Sequence, residues 1–269
     1  MICFILAKKQ GIIFLFFLGS SDLWIPSEKC TSCGNHKTFA SVESSSYSIV
    51  KGSGTNAVPF TISYGSGDIA GSIATDVITL STLILPGIIF GEVAKEDSAI
   101  SGFDMDGIVG LAFIGLAAVT TSGILDNIEL NYENTSLTKS FSLYLSSDPD
   151  DHTKPSKIMF GYYDLSIVSD NALFFYTPVV RYTSLLTYWT VAMTGFEIGT
   201  TDQFTTADDV SVIFSVCTYG YVMIALLLAL LSLNEHQHQF YFRYFVRVSF
   251  TFISLFSHIV SYMYSFSPF

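Results

Sequence analysis

The stretch Gly19-Ser20-Ser21-Asp22-Leu23-Trp24-Ile25-Pro26-Ser27 decides how the rest of this chain is read. It lies where an apolar amino-terminal segment, residues 1–18, gives way to a sequence of ordinary soluble texture. The segment before it holds two apolar runs, residues 2–7 and 12–18, split by Lys8-Lys9-Gln10. The second run is shorter than the about 20 residues a spanning helix needs. It has the length of a signal-peptide core behind a basic step, with Gly19 and Ser21 as small residues ahead of a cleavage point. A buried strand accounts for the same residues, and both readings stand at this point.

After the stretch the texture is β as far as about residue 199. Thr61-Ile62-Ser63-Tyr64 alternates, Gly65-Ser66-Gly67-Asp68 turns, and Ile69-Ala70-Gly71-Ser72-Ile73 leads back out, which is a hairpin signal. Further short strands are expected at 77–85, 88–90, 108–111, 142–145, 157–160, 173–180 and 189–194, separated by turn residues at intervals typical of all-β proteins. The one helix expected is short, over 124–130, with Thr121 or Ser122 as its cap.

The totals narrow the function. Across 269 residues the chain is 50% hydrophobic and only 13% charged, with a net charge of -11. The mean hydropathy of +0.49 is high for a soluble protein, and the excess sits at the two ends. No basic stripe is present to neutralise phosphates, so nucleic acid is excluded as a partner. Of the four cysteines, Cys3, Cys30, Cys33 and Cys217, only Cys30 and Cys33 lie close together. A lone CxxC could be a redox pair or half a zinc site, but no second half-site follows. A small structural disulfide in a secreted β-rich fold is the better reading, and no metal or organic cofactor is expected. Asn134-Thr135-Ser136 is a glycosylation sequon, which makes Asn134 a candidate acceptor.

After Asp209 the composition changes. Residues 210–234 carry no charge until the run ends, which is long enough to cross a bilayer, and a transmembrane helix is expected at about 212–233. A second uncharged run, 248–269, is broken by polar residues, and Arg243 and Arg247 between the two would place the connection on the cytoplasmic side.

The nine residues from Gly19 to Ser27 resemble the run that follows the first catalytic aspartate in pepsin-like (cathepsin D/pepsin type) aspartic proteases. Cys30 and Cys33 resemble the small disulfide loop of that family, and Ser44-Ser45-Ser46-Tyr47 its serine-rich turn. Tyr64-Gly65-Ser66-Gly67 is similar to the flap that closes over substrate. Asp106-Gly107-Ile108-Val109-Gly110-Leu111-Ala112 resembles the Asp-Gly-Ile-Leu-Gly-Leu-Ala segment beneath the active site. Asp126-Asn127-Ile128, Phe141-Ser142-Leu143-Tyr144-Leu145-Ser146 and Tyr188-Trp189 continue the pattern in order.

The resemblance implies a mainly β protein with a pepsin-like lobe of the double-psi β-barrel type, truncated, to which the composition adds an apolar carboxy-terminal segment. Its expected divisions are an apolar segment over 1–18, the amino-terminal lobe over 19–185, the start of a second lobe over 186–214 and an apolar tail over 215–269. It implies a peptide or protein substrate, with Tyr64, Gly65, Ser66 and Trp24 at the flap and substrate cleft. It also implies a secretory-route location, lysosome-like or extracellular, with membrane anchoring added by the apolar tail. Nothing in the sequence fixes the oligomeric state. Without the resemblance, Trp24 reads as a core filler, Tyr64 as a strand residue and the glycines as turn formers.

Proteases of this family activate a water between two carboxylates that share a proton, since two negative charges about 3 Å apart cannot both persist. In this chain the first triplet reads Phe17-Leu18-Gly19, with Phe17 at the expected aspartate. The second follows residues 210–214 and reads Ser215-Val216-Cys217-Thr218, with Ser215 at the expected aspartate. Asp104, Asp106 and Asp209 read as turn or surface aspartates and not as substitutes. The expectation is therefore a family member that is inactive as it stands, the alternative being a membrane-anchored, non-catalytic peptide-binding relative. Loss of the pattern at both points is what replacement of coding sequence at each end would leave, for example by a misplaced exon boundary.

Overall fold

The computed structural model describes residues 3–5, 12–133, 139–144, 153, 156–162, 178–181, 184–198, 202–219 and 221–227. The chain folds mainly as β, as expected. Its principal sheet contains β1 (Cys3–Ile5), β2 (Ile13–Phe17), β3 (Leu23–Pro26), β4 (Ser48–Ile49), β5 (Pro59–Tyr64), β6 (Gly67–Leu80), β7 (Leu83–Glu96) and β8 (Gly107–Gly110). The order is β1-β2-β8-β3-β7-β6-β4, with β5 also paired to β6. β2 runs parallel to β8, β3 runs parallel to β7, and β3 is antiparallel to β8.

Residues 13–17 are a central strand of this sheet. Ile12, Phe14, Leu15 and Phe16 are buried, and Phe17 lies opposite Gly110 in the β2–β8 register. Five consecutive bulky apolar residues suit a strand covered on both faces, which needs no polar alternation. The strand is covered by two apolar clusters. One gathers Ile12, Phe14 and Phe16 with Leu85, Phe90, Leu111 and Ile128, and the other gathers Leu15 and Trp24 with Phe60, Ile69, Val93 and Ile108. Each fully buried side chain of this size contributes roughly 1.5–3 kcal/mol relative to exposure.

β5 and β6 form the expected hairpin, in register from Pro59–Ser72 to Tyr64–Gly67. The single strand expected over 77–85 is instead two. β6 ends at Leu80 and β7 begins at Leu83, and Ser81 supplies the turn with a φ of 55°. The helix α1 spans Ile124–Tyr132, two residues beyond the expected end, and buries Ile124 and Ile128 one turn apart. Its cap is Gly123, not Thr121 or Ser122, and the Asp126 carboxylate accepts the Gly123 N–H at 3.0 Å.

β9 (Phe141–Tyr144) pairs with β10 (Lys157–Phe160). A third sheet joins β11 (Trp189–Ile198), β12 (Asp202–Tyr219) and β13 (Tyr221–Leu227) in that order. The transmembrane helix expected at about 212–233 is thus corrected over 212–219 and 221–227, which run as antiparallel strands. Val, Ile, Phe and Thr dominate residues 210–218, and such residues favour a pleated, paired strand. Among the described residues no helix is long and apolar enough to cross a membrane. The remainder of that run, the second apolar run, residues 173–177 and Asn134 lie outside the described residues.

Candidate functional site

The site is built where β2 ends and the chain doubles back to β3. The Phe17 carbonyl accepts the Leu111 N–H at 2.8 Å, the Ser20 carbonyl accepts the Ala112 N–H at 2.9 Å, and the Asp22 carbonyl accepts the Gly110 N–H at 2.9 Å. The loop 18–22 is therefore stitched backbone to backbone onto the end of β8. Gly110 has to be glycine for this approach, because a Cβ there would meet the Asp22 nitrogen at 2.5 Å and the Ser20 oxygen at 2.6 Å.

The side chains of the loop are held as firmly. Ser21 Oγ donates to the Phe113 carbonyl. Asp22, 1% exposed, accepts three backbone N–H groups: Ala118 at 2.7 Å, Val119 at 2.9 Å and Thr120 at 3.2 Å. An ionised carboxylate suits that cluster of donors. Both of its oxygens are occupied, so Asp22 anchors the loop that follows residues 114–116.

Above the loop lies the β5–β6 hairpin. Trp24, 0% exposed, donates its indole N–H to the Tyr64 hydroxyl at 2.9 Å. Burial pushes the Tyr64 phenol up to about 12, although hydrogen bonds with Ser20 and Trp24 pull it back and the nearby Asp22 charge adds to the rise. Tyr64 is consequently a neutral hydrogen-bonding group across the physiological range. Gly65 and Ser66 form the exposed tip of the hairpin, and Gly65 has open space around its Cα.

Phe17 points into the space under this tip. Its ring lies 6.4 Å from that of Tyr64 with an interplanar angle of 61°, an edge-on pair. The same ring folds over Gly19, where a Cβ would meet Phe17 Cζ at 2.6 Å. Phe17, Ser20, Trp24 and Tyr64 are thereby brought together. Ser215 lies on β12 opposite Ala225 of β13, and β12 approaches β2 to within 8 Å between Cα atoms.

Cys30 and Cys33 are joined as a disulfide. Among the described residues no group of three or more His, Cys, Asp or Glu converges as a metal site. Asp104 is exposed, but Asp106 is not the turn or surface residue expected. It is buried, and its carboxylate accepts the Ile13 N–H at 2.6 Å and the Lys37 N–H at 2.7 Å, fixing the start of β2.

Sequence reasoning missed the buried acids. Glu92 accepts hydrogen bonds from Ser27 at 2.7 Å and from Tyr47, and burial of the ring, then the Glu92 hydrogen bond and charge, hold the Tyr47 phenol above its ordinary value. Asp76 accepts from Ser44 at 2.9 Å and from Ser46, which gives the serine-rich turn its purpose. Polar residues in otherwise apolar strands were the available signal.

The third sheet also reaches this region. Trp189, at the start of β11, donates to the Leu111 carbonyl at 2.8 Å, and its ring lies 4.3 Å from that of Phe113 at an interplanar angle of 41°. A family sequence model described as eukaryotic aspartyl protease matches residues 7–225, which takes in β2, β12 with Ser215 and most of β13. Cathepsin E of Mus musculus is 35% identical over 198 residues, covering 72% of this chain and 46% of the relative. Pepsin A of Canis lupus familiaris is 34% identical over 198 residues, covering 72% and 48%. A vacuolar aspartic protease of Candida albicans is 33% identical over 186 residues, covering 67% and 41%. This chain thus spans about half the length of the relatives it matches. The stitched loop, the hairpin above it and the match over residues 7–225 lead to one conclusion: the chain belongs to the eukaryotic aspartyl protease family.

Proposed function

We propose that this chain is a peptide-binding lobe of the aspartic protease type that does not itself hydrolyse peptide bonds. The observation that carries the reading is the Phe17 ring, set edge-on beneath Tyr64 at the end of β2. Water activation needs one carboxylate as base and a second, protonated, to polarise the scissile carbonyl. A phenyl ring can fill neither role, and Ser215, the residue expected at the second position, has no acid strength near neutral pH. What remains is binding: a hairpin over a cleft floor, with the Tyr64 hydroxyl and the Ser20 hydroxyl as polar groups.

The occupant is an extended peptide or an unfolded protein segment, the substrate class implied by family membership. A secretory-route compartment, lysosome-like or extracellular, fits the family and the Cys30–Cys33 disulfide, since such bonds persist in oxidising surroundings. The test is hydrolysis of a denatured protein at about pH 4, with and without a transition-state peptide inhibitor. The reading expects no cleavage. Cleavage that the inhibitor blocks would overturn it.

A further inference from the structure

Outside the cleft, one pair of buried ionisable side chains has no part in the binding reading. His36 follows the Cys30–Cys33 loop, and its side chain is buried with that of Glu96, the last residue of β7. His36 Nδ1 lies 3.0 Å from Glu96 Oε2. The contact is an ion pair whose alignment falls short of a hydrogen bond, so Nδ1 and both Glu96 oxygens have no aligned partner. The other ring nitrogen, Nε2, lies 3.0 Å from the Phe103 carbonyl, which can only accept, so Nε2 carries hydrogen.

That fixes what the pair requires. With Nε2 protonated, a neutral ring presents a bare Nδ1 lone pair to the Glu96 carboxylate. Two acceptors in contact away from water are unfavourable, and an unpaired buried carboxylate more so. One proton between them, whichever atom holds it, removes the conflict. Glu96 from β7 and Asp106, just before β8, are the charged groups acting on the ring, while Lys37, Lys95, Asp97 and Asp104 are exposed.

The pair sits at the root of the hairpin. Glu96 is opposite Ile69 of β6, and its N–H donates to Ser32 inside the disulfide loop at 2.9 Å. The next residue, Asp97, accepts the Asp68 N–H at 2.9 Å and donates its own N–H to the Asp68 carbonyl at 3.0 Å. Asp68 follows Gly67, the first residue of β6 after the hairpin tip. Whatever displaces Glu96 therefore pulls on the strand end that holds Tyr64 over Phe17.

We infer that His36 and Glu96 form an acid latch: one shared proton ties the disulfide loop to the root of the hairpin, and its loss frees the hairpin over the cleft. The cleft is then covered in an acidic compartment and uncovered as pH rises through the folded value of the pair. Burial alone would lower the His36 ring, but the Glu96 contact and charge, the Phe103 carbonyl and the Asp106 charge outweigh it and hold it above 6.5. A raised histidine stabilises the folded arrangement fully below 6.5, and that stability is lost as pH rises through the folded value. The latch holds or fails independently of whether the cleft hydrolyses peptides.

Hydrogen exchange followed by mass spectrometry on the full chain, from about pH 5.5 to about pH 8.5 and corrected for intrinsic exchange, tests it. In the unmodified chain, residues 60–69 and 96–106 should lose protection with a one-proton midpoint above 6.5, by about tenfold for each unit that the folded value exceeds it. In Glu96→Gln the amide donates to neutral Nδ1, so protection persists at about pH 8.5. In His36→Gln the profile is flat. Protection in the unmodified chain that does not change over this range overturns the latch, as does a wild-type transition surviving in His36→Gln. Emission of Trp24 in a Trp189→Phe background gives a second reading of the same midpoint, because its indole N–H is bonded to Tyr64.

Discussion

Replacing Tyr64 by Phe removes one oxygen and leaves the ring. The Trp24 indole N–H then loses the acceptor it holds at 2.9 Å, in a residue that is 0% exposed. A buried donor left without a partner costs about 1–3 kcal/mol, so Tyr64→Phe should be less stable by that amount between mildly acidic and neutral pH. The alkaline limb should behave in the opposite way. The Tyr64 phenol is raised from 10.0 to about 12, chiefly by burial. A raised acid group contributes stability that is whole below its unfolded value and lost as pH climbs through the folded one, here between 10 and about 12. Two units correspond to about 2–3 kcal/mol, a loss the parent suffers and the variant does not. The two stability curves should therefore converge as pH rises. Urea unfolding followed by tryptophan emission at a series of pH values, with parent and variant both in the Glu96→Gln background that keeps the hairpin closed, measures both limbs. The reasoning fails if the variant matches the parent within about 0.5 kcal/mol at neutral pH, or if its alkaline limb is as steep as the parent's.

Asp22→Ala strips the acceptor from three backbone N–H groups at once, and should cost about 3 kcal/mol or more, visible as lost near-ultraviolet dichroism or a non-cooperative melt. Gly110→Ala forces a Cβ to within 2.6 Å of backbone on the facing loop and should prevent recovery of folded protein, while Gly65→Ala at the open tip should leave the melting curve unchanged. Reducing the Cys30–Cys33 bond, which joins residues only 3 apart, should lower stability by about 2 kcal/mol at most, read as the shift in urea midpoint with and without reductant.

The hairpin and the short helix were legible because each follows from local pattern: alternation on either side of a glycine turn, or isoleucines one helical turn apart. Trp24 lies in the Gly19–Ser27 stretch and Tyr64 in the hairpin, and nothing local indicated that they touch across 40 residues. Residues 12–18 were ambiguous because a strand buried on both faces has no alternation to distinguish it from a signal core. The pairing of Phe14 with Gly107 and Phe17 with Gly110 is a long-range fact. Residues 212–227 misled for the same reason. An uncharged apolar run satisfies a spanning helix and a buried hairpin equally, and here strand pairing won over 213–219 and 221–227. The roles of Asp106, Glu92 and Glu96 were hidden because burial of a charge depends on partners that lie far away in sequence.

Binding without cleavage is the central claim, and one experiment reads both halves. The purified chain is titrated at about pH 4 with a labelled transition-state peptide, and the unlabelled denatured protein substrate from the same incubation is analysed for new termini by mass spectrometry. The account predicts saturable binding, weakened in Tyr64→Phe, with no new termini after prolonged incubation. New termini whose appearance the peptide suppresses would contradict it.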